Sequence, residues 1–164
     1  MSTTPFDPLA ALRALRVAGI EFVLIGGVAA RLRGSPSLTR VVDVCYSRDR
    51  ANVDRLAEVL VGLHARLRGV DDDVPFPLDG RTLLAGANFT FTTDVGDLDL
   101  LALPAGIEGY DELARSAELV DLGEFSVLVA TLDDLIRMKR AAGRAKDRAE
   151  VEILSALRDE RDRG

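Results

Sequence analysis

Phe22-Val23-Leu24-Ile25-Gly26-Gly27 is followed, after positions 28–40, by Val41-Val42-Asp43-Val44-Cys45-Tyr46, and the reading of these two stretches decides the fold. The first run is short, continuous and apolar, the pattern of a buried strand. A glycine pair at its end permits a tight turn where the backbone itself can be approached closely. In the second run side chains alternate, so Val42, Val44 and Tyr46 share one face, and Val41, Asp43 and Cys45 the other. Position 41 therefore points the same way as Asp43.

Working outward, Asp7-Pro8 followed by Leu9, Leu12, Leu15 and Val17 supplies an N-cap, a proline at the first helical position and an apolar stripe, closed by Gly19. Glu21 to Ile25 is the first strand, Val28 to Arg33 a short helix ended by Gly34, and Val41 to Tyr46 the second strand. Ser47 or Asp49 caps a helix with Val53, Leu56, Ala57, Leu60 and Leu63 at helical spacing. Asp71-Asp72-Asp73-Val74-Pro75-Phe76-Pro77 breaks structure, and its consecutive acids are read as solvated rather than metal-binding. Asn88 to Thr92 and Asp97 to Leu101 form strands joined by the turn Thr93-Asp94-Val95-Gly96, which puts Asp97 and Asp99 on one face. A helix near Tyr110 to Arg115 and a strand from Phe125 to Val129 follow. Thr131 caps a helix through Ala142, Gly143 interrupts it, and a last helix runs from about Ala145 to Leu157 before a charged tail that frays.

The chain has 164 residues, 48% hydrophobic and 5% aromatic, enough for one domain with an aliphatic core. That domain is expected to span 1–164, with a core of about 7–130 and C-terminal helices of about 131–158. No apolar run approaches the roughly 18 residues of a membrane span, and Met1-Ser2-Thr3-Thr4-Pro5 lacks the layout of a secretion signal, so a cytoplasmic location without membrane partners is expected. The single Cys45 reads as a buried thiol. A net charge of -6 disfavours broad adhesion to nucleic acid, which would need a local basic patch. His64, the one histidine, reads as a partly exposed polar residue, and Tyr46 as a core residue.

A strand ending in Gly26-Gly27, a gap, and Asp43 on the next strand, together with Leu98-Asp99-Leu100, resemble the signature of the nucleotidyltransferase superfamily. That family carries two acids separated by one apolar residue on the second strand. Here Val41 occupies the first acidic position, an altered catalytic site. Leu135-Ile136-Arg137-Met138-Lys139 and Arg144-Ala145-Lys146-Asp147 resemble the helix pair of the AbiEii/MenT-like nucleotidyltransferases, many of them toxins of toxin-antitoxin systems. The implied fold is α+β: a small mixed sheet with helices packed on it and a helical C-terminal extension walling the cleft.

By that resemblance Asp43 and Asp99 are catalytic carboxylates that hold Mg²⁺ or Mn²⁺, with Asp97 on the same face as a substitute ligand. Gly26, Gly27, Thr39, Lys139, Arg144 and Lys146 are implied to bind the nucleoside triphosphate, with Lys139 neutralising its charge and Asp147 standing in or behind the site. The implied acceptor is an RNA, such as a tRNA 3′ end, or a protein hydroxyl, and the implied partner an antitoxin. Replacing an acid by valine removes a ligand, and three readings stay open. The chain is a varied copy of an active enzyme, or Asp97 substitutes for the lost ligand, or the fold is kept as a binding or regulatory module.

Overall fold

A computed structural model describes residues 5–164. Its sheet has strands β1 (Phe22–Ile25), β2 (Val41–Tyr46), β3 (Arg66–Leu67), β4 (Asn88–Thr93), β5 (Gly96–Leu101), β6 (Glu118–Asp121) and β7 (Ser126–Val129), in the spatial order β3-β4-β5-β2-β1-β7-β6. The helices are α1 (Pro8–Val17), α2 (Gly26–Leu32), α3 (Arg50–Gly62), α4 (Gly80–Ala85), α5 (Tyr110–Ser116), α6 (Leu132–Ala142) and α7 (Ala145–Arg163). The sheet is mixed. β1 pairs antiparallel with β2 and parallel with β7, while β2 pairs parallel with β5.

The centre of the sheet follows from side-chain chemistry. All four residues of β1 are buried, as its uninterrupted apolar run requires of a strand covered on both faces. Val42, Val44 and Tyr46 of β2 are buried too, and the Tyr46 hydroxyl satisfies itself by donating to Ala87 O at 2.7 Å. Leu12 and Leu15 of α1, with Val53, Leu56 and Leu60 of α3, complete the core. The edges are charged: β6 exposes Glu118 and Asp121, and β3 exposes Arg66, which discourages pairing with another chain.

Three short elements escape the pattern reading. β3 has two residues, too few for alternation to register. α4 is six residues long and is held by the Asp79 side chain accepting from Thr82 N at 2.8 Å. β6 has its alternation masked by acids at both ends. α2 begins at Gly26 rather than Val28, because the turn is compressed into Gly26 itself, whose φ of 70° suits glycine.

The C-terminal pair follows its caps. Thr131 Oγ1 accepts from Asp134 N at 3.1 Å to start α6, and Gly143, left-handed at φ 67°, ends it. α7 then continues to Arg163 instead of fraying after Leu157. Asp133 on α6 explains the extension: it pairs with Arg158 at 3.3 Å and Arg161 at 3.8 Å, tying the charged end of α7 back to its neighbour. Asp71, Asp72 and Asp73 are exposed, as expected of a solvated loop. No helix among the described residues is long and apolar enough to cross a membrane.

Candidate active site

β2 and β5 run side by side in register, with Val41 opposite Asp97 and Asp43 opposite Asp99. Strand alternation puts these four positions on one face, so the two central carboxylates meet closely enough for the charge of Asp99 to act on Asp43. Across β2 on its other side, Asp43 is opposite Ile25, the residue before the glycine pair. The Asp43 carboxyl consequently lies against Gly26, where an added Cβ would sit 2.2 Å from Asp43 Oδ2. Glycine at 26 is thus required twice, by its positive φ and by the carboxylate beside it.

Gly27 is pressed by Thr39, whose Cβ would lie 2.7 Å from a Cβ on the glycine. The Thr39 hydroxyl donates to Val41 O at 3.1 Å and accepts from Val41 N at 3.3 Å, fixing the start of β2. Thr39 therefore abuts the turn with its Cβ and hydroxyl, and fixes the strand with that same oxygen.

A cleft of about 740 Å³ opens over this point, lined by Gly26, Gly27, Thr39, Val41, Asp43, Asp99, Lys139, Arg144, Lys146 and Asp147 among others. Every sequence-predicted site residue lines it except Asp97. That carboxylate is instead held by Thr92, whose Oγ1 donates to Asp97 Oδ1 at 3.2 Å, and by Arg68, 3.5 Å from Asp97 Oδ2. Leu135, Met138 and Ala142 of α6, with Ala149 and Ile153 of α7, give the opposite wall an apolar character.

Burial, followed by the negative charge of Asp99, raises the Asp43 carboxyl to about 7, against the pull of Lys139 and Arg68. Two carboxylates this close resist carrying charge together, and a positive charge between them would relieve that. The chemistry of the donors fits a divalent cation bound through one or two carboxylates plus phosphate oxygens. Among the described residues no three acidic, histidine or cysteine side chains enclose a cation on their own, so water or ligand oxygens would have to complete the shell. Asp43 and Asp99 are the residues that would hold such an ion.

The cationic side of the cleft is organised by Asp147. Its carboxylate is fully buried and accepts from Arg144 N at 3.1 Å, Arg144 Nε at 2.6 Å, Arg144 Nη2 at 3.2 Å and Lys139 Nζ at 3.4 Å. The hydrogen bond from the Arg144 side chain, opposed by burial, brings the Asp147 carboxyl down to about 2. Asp147 thereby caps α7 and holds Lys139 of α6 in the cleft, where its charge acts on Asp43. Lys146 is exposed at the rim. Nearby, Glu150 of α7 accepts from Ser35 Oγ at 2.9 Å and Ser37 Oγ at 2.7 Å, anchoring the segment between α2 and β2 to the C-terminal helices.

Arg68 is the residue that sequence reasoning missed. It follows β3, donates from Nη2 to Asp99 Oδ1 at 2.8 Å and from Nη1 to Phe91 O at 3.2 Å, and so joins the carboxylate cluster from the far side. The alternation Arg66-Leu67-Arg68 is the only signal for it, and two strand residues are too few to read. Of the remaining polar residues, His64 is exposed and paired with Asp94 at a turn. Cys45 is buried, with its thiol pushed up to about 12 by that burial.

No family model matches the sequence, and no curated protein matches it either. Among solved structures, the lincomycin-bound lincosamide antibiotic adenylyltransferase LnuA is similar with a TM-score of 0.63 at 11% identity, over 94% of this chain and 99% of that one. A provisionally named nucleotidyltransferase from Thermotoga maritima is similar with a TM-score of 0.47 at 14% identity, over 98% of both chains. At such identity the likeness to the adenylyltransferase speaks for architecture: the mixed sheet with its helices and C-terminal helical wall is a nucleotidyltransferase fold.

Proposed function

We propose that the cleft transfers a nucleotidyl group from a nucleoside triphosphate to a hydroxyl acceptor, assisted by Mg²⁺ or Mn²⁺. The observation that carries this reading is the meeting of Asp43 and Asp99 beside Gly26, with Lys139 facing them in the same cleft. Negative charge developing on phosphate oxygens needs fixed positive charge more than it needs proton relays. A divalent ion held by Asp43 and Asp99 supplies that charge at the reacting phosphate. Gly26 and Gly27 let the triphosphate approach the backbone, Lys139 and Arg144 oppose its charge, and Lys146 stands at the rim for nucleotide or acceptor.

The acceptor reading rests on the AbiEii/MenT resemblance: an RNA such as a tRNA 3′ end, or a protein hydroxyl, in a cytoplasmic toxin that an antitoxin restrains. Lys139, Arg144 and Lys146 give an otherwise acidic protein the local basic side that an RNA end requires.

Val41 favours a second reading, a nucleotide-binding or regulatory module without turnover, because it leaves the second strand with one carboxylate. Incubation with each labelled nucleoside triphosphate, Mg²⁺ or Mn²⁺ and total RNA separates the two. Nucleotidyl transfer predicts a labelled acceptor, and a signal at least about tenfold higher for Val41→Asp, which restores a ligand. Absence of label with both forms, accompanied by nucleotide binding in calorimetry that needs no metal, overturns transfer in favour of the module.

A further inference from the structure

The four in-register positions on β2 and β5 form a square of Val41, Asp43, Asp97 and Asp99, and one corner of it is already occupied by a positive charge from elsewhere. Arg68 Nη2 donates to Asp99 Oδ1 at 2.8 Å, and Arg68 Nη1 lies 3.5 Å from Asp97 Oδ2. The guanidinium is fixed at both ends. Its Nη1 donates to Phe91 O at 3.2 Å, and the Arg68 backbone N donates to Thr90 O at 2.9 Å, so β4 carries it as part of the sheet. About two thirds of the side chain is covered, its exposure being 32%.

A guanidinium has five donors and no acceptor, so it satisfies carboxylates and cannot ligate a metal. Two cations about 4 Å apart need acids able to bridge them. Here the acid at position 41 is absent, Asp97 is held by Arg68 and Thr92 outside the cleft, and one oxygen of Asp99 is already committed. What remains facing the glycine turn is Asp43 with Asp99.

Resting on the metal-dependent reading above, we propose that Arg68 is a built-in counter-charge that takes the place of a second metal ion and restricts this site to one divalent cation. Val41 and Arg68 are then matched: an acid at 41 would stand opposite Asp97, whose charge Arg68 already answers. The cation selected is a single hard ion of the Mg²⁺ or Mn²⁺ class, completed by phosphate oxygens and water.

Counting bound Mn²⁺ by electron paramagnetic resonance and calorimetry, on the full chain with a non-hydrolysable nucleoside triphosphate, tests this without relying on turnover. The native chain is expected to hold one Mn²⁺ per bound nucleotide, the ion shared with its phosphate oxygens. Val41→Asp is expected to tighten that ion about tenfold while still holding one. Val41→Asp combined with Arg68→Gln is expected to hold two, and Val41→Asp combined with Arg68→Lys, which keeps the charge, one. A second ion in Val41→Asp with Arg68 intact overturns the inference, and so does a single ion in a folded double variant carrying Arg68→Gln. If that double variant fails to fold, the count in Val41→Asp alone decides. No Mn²⁺ in any form defeats the metal-dependent reading itself, a result distinct from either count.

Discussion

Asp43 Oδ2 occupies the space that a β-carbon on Gly26 would need, at 2.2 Å from its ideal position. The glycine turn and the carboxylate are therefore one structural unit, built from the end of β1 and the middle of β2.

Gly26→Ala is expected to displace Asp43 and to strain a backbone whose φ is 70°. Its thermal midpoint should fall by roughly 4 °C or more, and divalent-ion binding should weaken about tenfold. Differential scanning fluorimetry with and without Mn²⁺ reads both. Unchanged ion binding would show that the turn does not position Asp43.

Lys139→Met keeps the stem against α6 and removes the charge facing Asp43. Asp147 retains three contacts from Arg144, so the helix pair should stay folded. Nucleotidyl transfer is expected to drop about a hundredfold in kcat/KM. Nucleotide titration followed by calorimetry should show the triphosphate losing more affinity than the nucleoside.

Asp147 stabilises the fold in a definite pH window. Its carboxyl lies at about 2 in the folded chain against an ordinary 3.8, so its contribution is complete above 3.8 and disappears as the pH falls through about 2. Asp147→Asn is therefore expected to lower the thermal midpoint by roughly 4 °C or more at pH 7. The gap between variant and native chain should narrow as the pH is taken from 4 to about 2. A gap independent of pH over that range would mean that packing, and not charge, accounts for the loss.

Cys45 is fully buried and its thiol is raised to about 12, so little thiolate exists at neutral pH. A thiol reagent at pH 8 is expected to leave the native protein unmodified and to react with one equivalent in urea. Rapid labelling without denaturant would contradict the burial.

How far the sequence could be read depended on the distance over which each feature is encoded. Asp43 and Asp99 were legible because each lies on a strand long enough for alternation to assign its face, and register then brings the two together. The Thr131 cap and Gly143 are local signals and fixed the start and end of α6. The end of α7 was not local: Asp133, 25 residues before Arg158, keeps helical what the charge pattern alone marks as a frayed tail. Arg68 was hidden for the same reason, since its partner Asp99 is 31 residues away and β3 is too short to announce itself. Asp97 shares a face with Asp99, as alternation requires. That Arg68 claims it is a property of the folded sheet alone.

Because Lys139 is held by Asp147 from the following helix, the acidic and basic halves of the cleft are assembled from segments made at different times. A growing chain that has just emerged through β5 already has Asp43 and Asp99 available to pair, with no lysine yet to oppose them. On the proposed reading, ribosome-bound intermediates should therefore be unable to grip a triphosphate until α7 has been made and has docked against α6.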